Sequence, residues 1–160
     1  PNGRALSGRS HDYKRNGTST LFAALDVLSG QVTAGHYKRR RRIEFLDFMN
    51  GVIAAYPGKE IHVILDNLST HKPKRDRWLA RHRNVRFHFT PTYSSWLNQI
   101  EIWFSILQGN SLATASFSGI QQLRAHIDDF VASYNTRAAP FVWTKPVVHH
   151  KSLKPRFSDL

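Results

Sequence analysis

The sequence predicts an α/β domain, a mixed sheet with helices on both faces, and three observations carry that expectation. Short apolar or alternating runs starting at Thr18, Gln31, Ile61 and Val85 read as strands. Stretches at 41–56 and 119–134 repeat apolar residues near every 3.6 positions and read as amphipathic helices. Two strands come first and helix–strand alternation follows, so an antiparallel pair should sit beside parallel strands.

Taken in order, residues 1–17 are polar and aperiodic and read as a tail or loop. Thr18 to Val27 is a short apolar strand, and Gln31 to Tyr37 alternates; Leu28-Ser29-Gly30 between them reads as a hairpin turn. The helix at 41–56 carries Ile43, Leu46, Phe48, Met49, Val52, Ile53 and Tyr56 and is stopped by Pro57-Gly58. Ile61 to Leu65 is apolar on both faces, which suits a central strand covered on both sides. Pro73 to His82 reads as a short polar helix, Val85 to Phe89 as a strand and Thr90 to Ser95 as a loop. Trp96 to Gln108 should be a helix ended by Gly109, and 119–134 another, carried by Ile120, Leu123, Ile127, Phe130 and Val131. From Ala138 on, prolines at 140, 146 and 155 make the tail irregular.

Composition narrows the function. The 160 residues suit one domain, and 41% apolar and 12% aromatic residues suffice for a core. No apolar run approaches the roughly 18–20 residues that span a bilayer, so no membrane partner is expected. There are no cysteines, which removes disulfides, thiolate zinc sites and thiol catalysis and fits a reducing compartment. No signal-peptide core follows the N-terminus, and a chain starting at Pro1 reads as a fragment or trimmed product. The net charge of +12 points to a polyanion, because phosphate contacts release counterions. The densest basic run is Lys38-Arg39-Arg40-Arg41-Arg42; read alone, it is equally a solvated helix start.

Two acids invite chemistry. Asp66 closes the Ile61–Leu65 strand, where ligand sites of open α/β sheets gather; it is also an ordinary first residue of a turn. Glu101 lies on a helix beside the Trp103 and Leu107 stripe, where a half-buried carboxylate needs a partner or a cation; an arginine would also serve. Mg²⁺ is usually held by one or two carboxylates plus substrate phosphate, and paired ions clamp an in-line phosphoryl transfer. Asp66 and Glu101 thus become candidate metal ligands and catalytic residues.

The stretch Ile64-Leu65-Asp66-Asn67-Leu68-Ser69-Thr70-His71-Lys72, followed by Phe89-Thr90-Pro91-Thr92-Tyr93-Ser94-Ser95-Trp96-Leu97-Asn98-Gln99-Ile100-Glu101, resembles the DDE catalytic domain of bacterial insertion-sequence transposases in the mariner superfamily, the insertion sequence 630 group. The resemblance runs from about His11 to Thr144, and the 34 residues between Asp66 and Glu101 match the superfamily spacing. It implies an RNase H-like fold over 18–146, with an irregular tail at 147–160. It further implies Mg²⁺ or Mn²⁺, DNA as partner, cytoplasmic nucleoid-associated localisation, and an intact enzyme that can pair as a homodimer. Asp66 corresponds to the second acid and Glu101 to the third. Gln99 stands where the family often has proline.

In the family the first acid lies on a strand ahead of two antiparallel strands. Only two strands precede the first helix here, so the first strand and its Asp are expected to be missing. Asp26 resembles a substitute, but it sits beside the hairpin turn, where an acid is ordinary. His71, Lys72 and Tyr93, with Lys38 to Arg42, are the expected nucleic-acid contacts; His149-His150 reads as a solvated tail. The leading reading is a DDE transposase domain that hydrolyses and then transesterifies phosphodiesters at element ends. The alternatives are a catalytically dead DNA-binding remnant and an unrelated basic structural or RNA-binding protein.

Overall fold

The computed structural model describes residues 17–91, 98–140 and 142. Residues 1–16 and 147–160 of the expected tails lie outside these residues, as do Tyr93, Trp96 and Leu97; Ala138, Ala139 and Pro140 are irregular, as expected. The elements are β1 (Thr20–Leu25), β2 (Val32–Tyr37), α1 (Arg42–Ala54), β3 (Ile61–Leu65), α2 (Trp78–Arg81), β4 (Val85–Phe89), α3 (Ile100–Leu107) and α4 (Ile120–Asn135), with a π-helical turn at Gln108–Leu112. No helix among the described residues is long and apolar enough to cross a membrane.

Strand directions are mixed, as expected. β1 and β2 pair antiparallel, with Leu25 opposite Val32, and β3 and β4 pair parallel, with Leu65 beside Phe89. Among the described residues the hydrogen bonds form two separate two-stranded ladders. The β1–β2 turn needs Gly30: its φ is +75°, and a Cβ there would meet the Ala139 carbonyl oxygen at 1.9 Å.

Two cores form. Phe22 of β1, Phe45, Phe48 and Met49 of α1, Leu65, Trp78 and Val85 make the first, so α1 lies across both ladders. Val32, Trp103, Leu107 and Ile127 make the second, between the β1–β2 ladder and the helices α3 and α4. The β1–β2 ladder is therefore covered on both faces. β3 is not: Ile64 is 53% exposed and His62 is exposed beside it, so the expected central strand is open on one face. Among the described residues the helices that pack on this ladder are α1 and α2, and they do so from the other side.

Three helix boundaries differ clearly from expectation. The helix expected from Trp96 starts at Ile100, with Asn98 and Gln99 outside it. The helix expected over 73–82 shrinks to Trp78–Arg81 because Arg77 takes a left-handed conformation (φ 53°) and Asp76 caps the Trp78 N–H at 2.9 Å. At the third boundary Gly109 does not end the helix. The chain winds on as a π turn, with the Ala113 N–H bonded to the Gln108 carbonyl at 2.9 Å. Ser111 holds it there through a 2.7 Å contact to Nε2 of His126 on α4.

A side chain closes the outer edge of β2. Asn135, the last residue of α4, accepts from the Val32 N–H at 2.8 Å and donates to the Val32 carbonyl at 2.9 Å. The ladder bond from Asp26 N–H to Gln31 O shows that the Val32 groups face away from β1.

Candidate active site

Asp66 follows the last residue of β3 and is 31% exposed. Its Oδ1 accepts from the Leu68 N–H at 3.3 Å, an Asx turn that bends the chain away from the sheet. The same oxygen lies 2.6 Å from Nδ1 of His71. That nitrogen has no aligned hydrogen-bond partner among the described residues. The His71 ring rests on Phe45, centroids 4.6 Å apart, which packs the 66–71 loop against α1. The Asn67 amide donates to the Thr90 carbonyl, and the Thr90 N–H to the Leu65 carbonyl at 2.8 Å, joining the ends of β3 and β4.

Glu101 sits in the first turn of α3, half-buried. Trp103 and Leu107, 1% and 2% exposed, turn into the second core, as their stripe predicts. On a helix Glu101 points about 200° away from Trp103. Gln99, just before α3, has φ −61°, a value proline shares, so glutamine and proline are backbone equivalents here. No three His, Asp or Glu side chains among the described residues converge on one point.

The basic run divides. Lys38, Arg39, Arg40 and Arg41 are exposed, and Arg41 pairs with Glu44 in the first turn of α1. Arg42 turns inward instead, its side chain 9% exposed. It donates to Asp76 at 2.9 Å, to the His71 carbonyl at 2.6 Å and to the Thr70 carbonyl at 3.4 Å, and it lies over the Phe45 ring. Buried among these acceptors, it belongs to the protein's own packing rather than to a phosphate-facing surface. Thr70 adds a 3.3 Å bond to the Arg40 carbonyl. The guanidinium holds the Asp76 carboxyl below the ordinary carboxylate range. Nothing local in the sequence marks this clamp, because 33 residues separate its two partners. Lys72 is exposed beside the loop.

Asp26 behaves as a turn residue. It accepts from the Leu28 N–H at 2.9 Å, the Ser29 hydroxyl at 2.9 Å and the Tyr56 phenol at 3.0 Å. Burial alone would raise its carboxyl, but these donors outweigh it and hold it below the ordinary range.

The DDE superfamily endonuclease family model matches residues 1–124, a span holding Asp66 and Glu101. No curated protein matches the chain. A chain in the cryoEM structure of the simian T-cell lymphotropic virus intasome in complex with PP2A regulatory subunit B56 gamma is similar, with a TM-score of 0.55 and 19% sequence identity over 86% of this chain. This protein spans 56% of that chain's length. At such identity the likeness concerns the fold, which is RNase H-like. Since the family match covers well over half of the sequence, the chain belongs to the DDE superfamily endonucleases.

Proposed function

We propose that this protein is the catalytic domain of a transposase of the mariner superfamily, insertion sequence 630 group, with Asp66 as its second acid and Glu101 as its third. The observation that carries the reading is the placement of Asp66. It closes a parallel strand, open to solvent, on a loop that His71, Asn67 and Arg42 tie down at three points. Loops at strand ends are where α/β sheets hold their ligands. Glu101 follows after the spacing quoted above, in the first turn of a helix.

The donor chemistry fits Mg²⁺ or Mn²⁺, since both residues offer carboxylate oxygens. A divalent ion held there would neutralise charge developing on a phosphodiester. The chain's own part is to present Asp66 in a fixed rotamer and to hold the DNA backbone. Exposed Lys38, Arg39, Arg40 and Lys72 suit that second task, with Tyr93 as a further contact. The reaction is hydrolysis of a phosphodiester by water, then attack of the freed 3′-hydroxyl on target DNA, by an enzyme that can pair as a homodimer. The first acid, in this reading, lies on a strand other than β1 to β4. Separate ladders bridged by α1 support that view, because a strand between β1 and β3 would join them.

Calorimetric Mn²⁺ titration of the chain tests the assignment. Binding should weaken in both Asp66→Asn and Glu101→Gln and persist in Asp26→Asn. Unchanged binding in the first two, or its loss in the third, would overturn it.

A further inference from the structure

The open face of the β3–β4 ladder carries a second cluster of ligating side chains. In the parallel register His62 lies beside Arg86 and Ile64 beside His88, so the two histidines are diagonal neighbours on one face. Their rings are nearly parallel, 12° apart with centroids 5.1 Å apart, and both are exposed. Nδ1 of His62 and Nε2 of His88 face each other at 2.8 Å. Glu60 lies on the far side of the His62 ring, 3.6 Å from its Nε2, and Arg86 holds that carboxylate at 2.5 Å.

We propose that His62 and His88 form a binding site for an imidazole-seeking divalent ion, Zn²⁺, Cu²⁺ or Ni²⁺, separate from the Asp66 and Glu101 pair. With bonds of about 2.0–2.1 Å, Cu²⁺ and Ni²⁺ in square or octahedral surroundings hold two imidazole nitrogens at a right angle, about 2.9 Å apart, whereas tetrahedral Zn²⁺ spreads them to about 3.3 Å. The observed 2.8 Å is within about a tenth of an ångström of the right-angle value, and Zn²⁺ needs the pair to open by about half an ångström. In the metal-free pair one nitrogen donates its proton to the other; a cation takes both lone pairs once the His88 proton moves from Nε2 to its Nδ1, so both rings stay neutral. Glu60 favours a proton on Nε2 of His62, which leaves Nδ1 the lone pair, the role a carboxylate plays behind a metal-bound histidine. Since no third ligand converges among the described residues, water fills the remaining positions. Mg²⁺ is a poor occupant because it takes oxygen. His62 and Asp66 are four residues apart along the strand, roughly 13 Å at about 3.3 Å per residue, so the two sites do not share an ion.

The test is a Zn²⁺ titration of the chain by calorimetry in excess Mg²⁺, with Cu²⁺ electron paramagnetic resonance as a second readout. His62→Gln and His88→Gln should each weaken Zn²⁺ binding roughly tenfold or more, Glu60→Gln should weaken it less, and Asp66→Asn should leave it unchanged. Metal-free melting curves of the two histidine variants should match the parent, since both side chains are exposed. The Cu²⁺ spectrum of the parent should show two nitrogen ligands. Zn²⁺ affinity unchanged in both histidine variants, or a spectrum without two nitrogens, would overturn the proposal. Failure of Mn²⁺ binding at Asp66 would not touch it.

Discussion

The two strand ladders are built to different standards. The β1–β2 ladder is packed on both faces, by α1 on one and by α3 and α4 on the other, and Asn135 blocks its outer edge. The β3–β4 ladder is packed on one face and open on the other, and it ends in the loop that bears Asp66. The first is packed as a scaffold, and the second keeps one face exposed. A face left open forgoes burial, so the stability it lacks has to come from elsewhere in the fold.

That division predicts a graded response to substitution. The largest effect is expected from Trp103→Ala, at the centre of the second core among the Phe104, Phe130 and Tyr134 rings. Emptying that site should cost about 3–5 kcal/mol in denaturant unfolding. A loss below about 1 kcal/mol would remove the β1–β2 side from its scaffold role.

Next is Arg42→Gln, which leaves Asp76 without its partner and frees the 66–71 loop, at about 3 kcal/mol. The ion pair also has a pH signature. The folded-state carboxyl of Asp76 lies below its ordinary value, so its contribution is complete above the usual carboxylate range. It is lost as pH falls below about 4 through the lowered value. Melts of the parent and of Asp76→Asn should therefore differ at neutral pH and converge in acid. A constant difference across that range would show that the pair contributes through packing, not charge.

Asn135→Ala should cost less, about 1–2 kcal/mol, because water reaches the freed Val32 groups. Concentration-dependent association by light scattering should rise with it. The smallest effect sharpens the comparison most: Ile64→Thr, on the open face, should move stability by under about 0.5 kcal/mol. Its neighbour Leu65, 7% exposed, should cost about 2–5 kcal/mol when cut to Ala. Similar losses at the two positions would mean that the open face is covered after all.

Much of this was legible in the sequence. The four strands and three of the helices follow from period and punctuation, and Asp66 could be placed at its strand end because an apolar run stops there. The open face of β3 was also written in the run itself, since His62 interrupts it and Arg86 and His88 alternate with Phe87 and Phe89. An apolar average hid that alternation. The inward turn of Arg42 had no such signal. Five consecutive basic residues look alike until Asp76, from a distant loop, singles out one of them. Gly109 misled for a related reason: local propensity ends a helix there, whereas Ser111 and His126 keep it turning.

Asn135 has a wider consequence. A carboxamide that offers one acceptor and one donor to Val32 copies a single residue of a neighbouring strand. The end of α4 thus stands in for a third strand one residue long. Sheet growth beyond β2 is stopped there by the chain's own helix, and with it the chain-to-chain templating that bare strand edges invite. Among the described residues β1 pairs only with β2, so recruitment of a further strand is directed to its other side. One amide can in this way bias how the protein joins other polypeptides without contacting any of them.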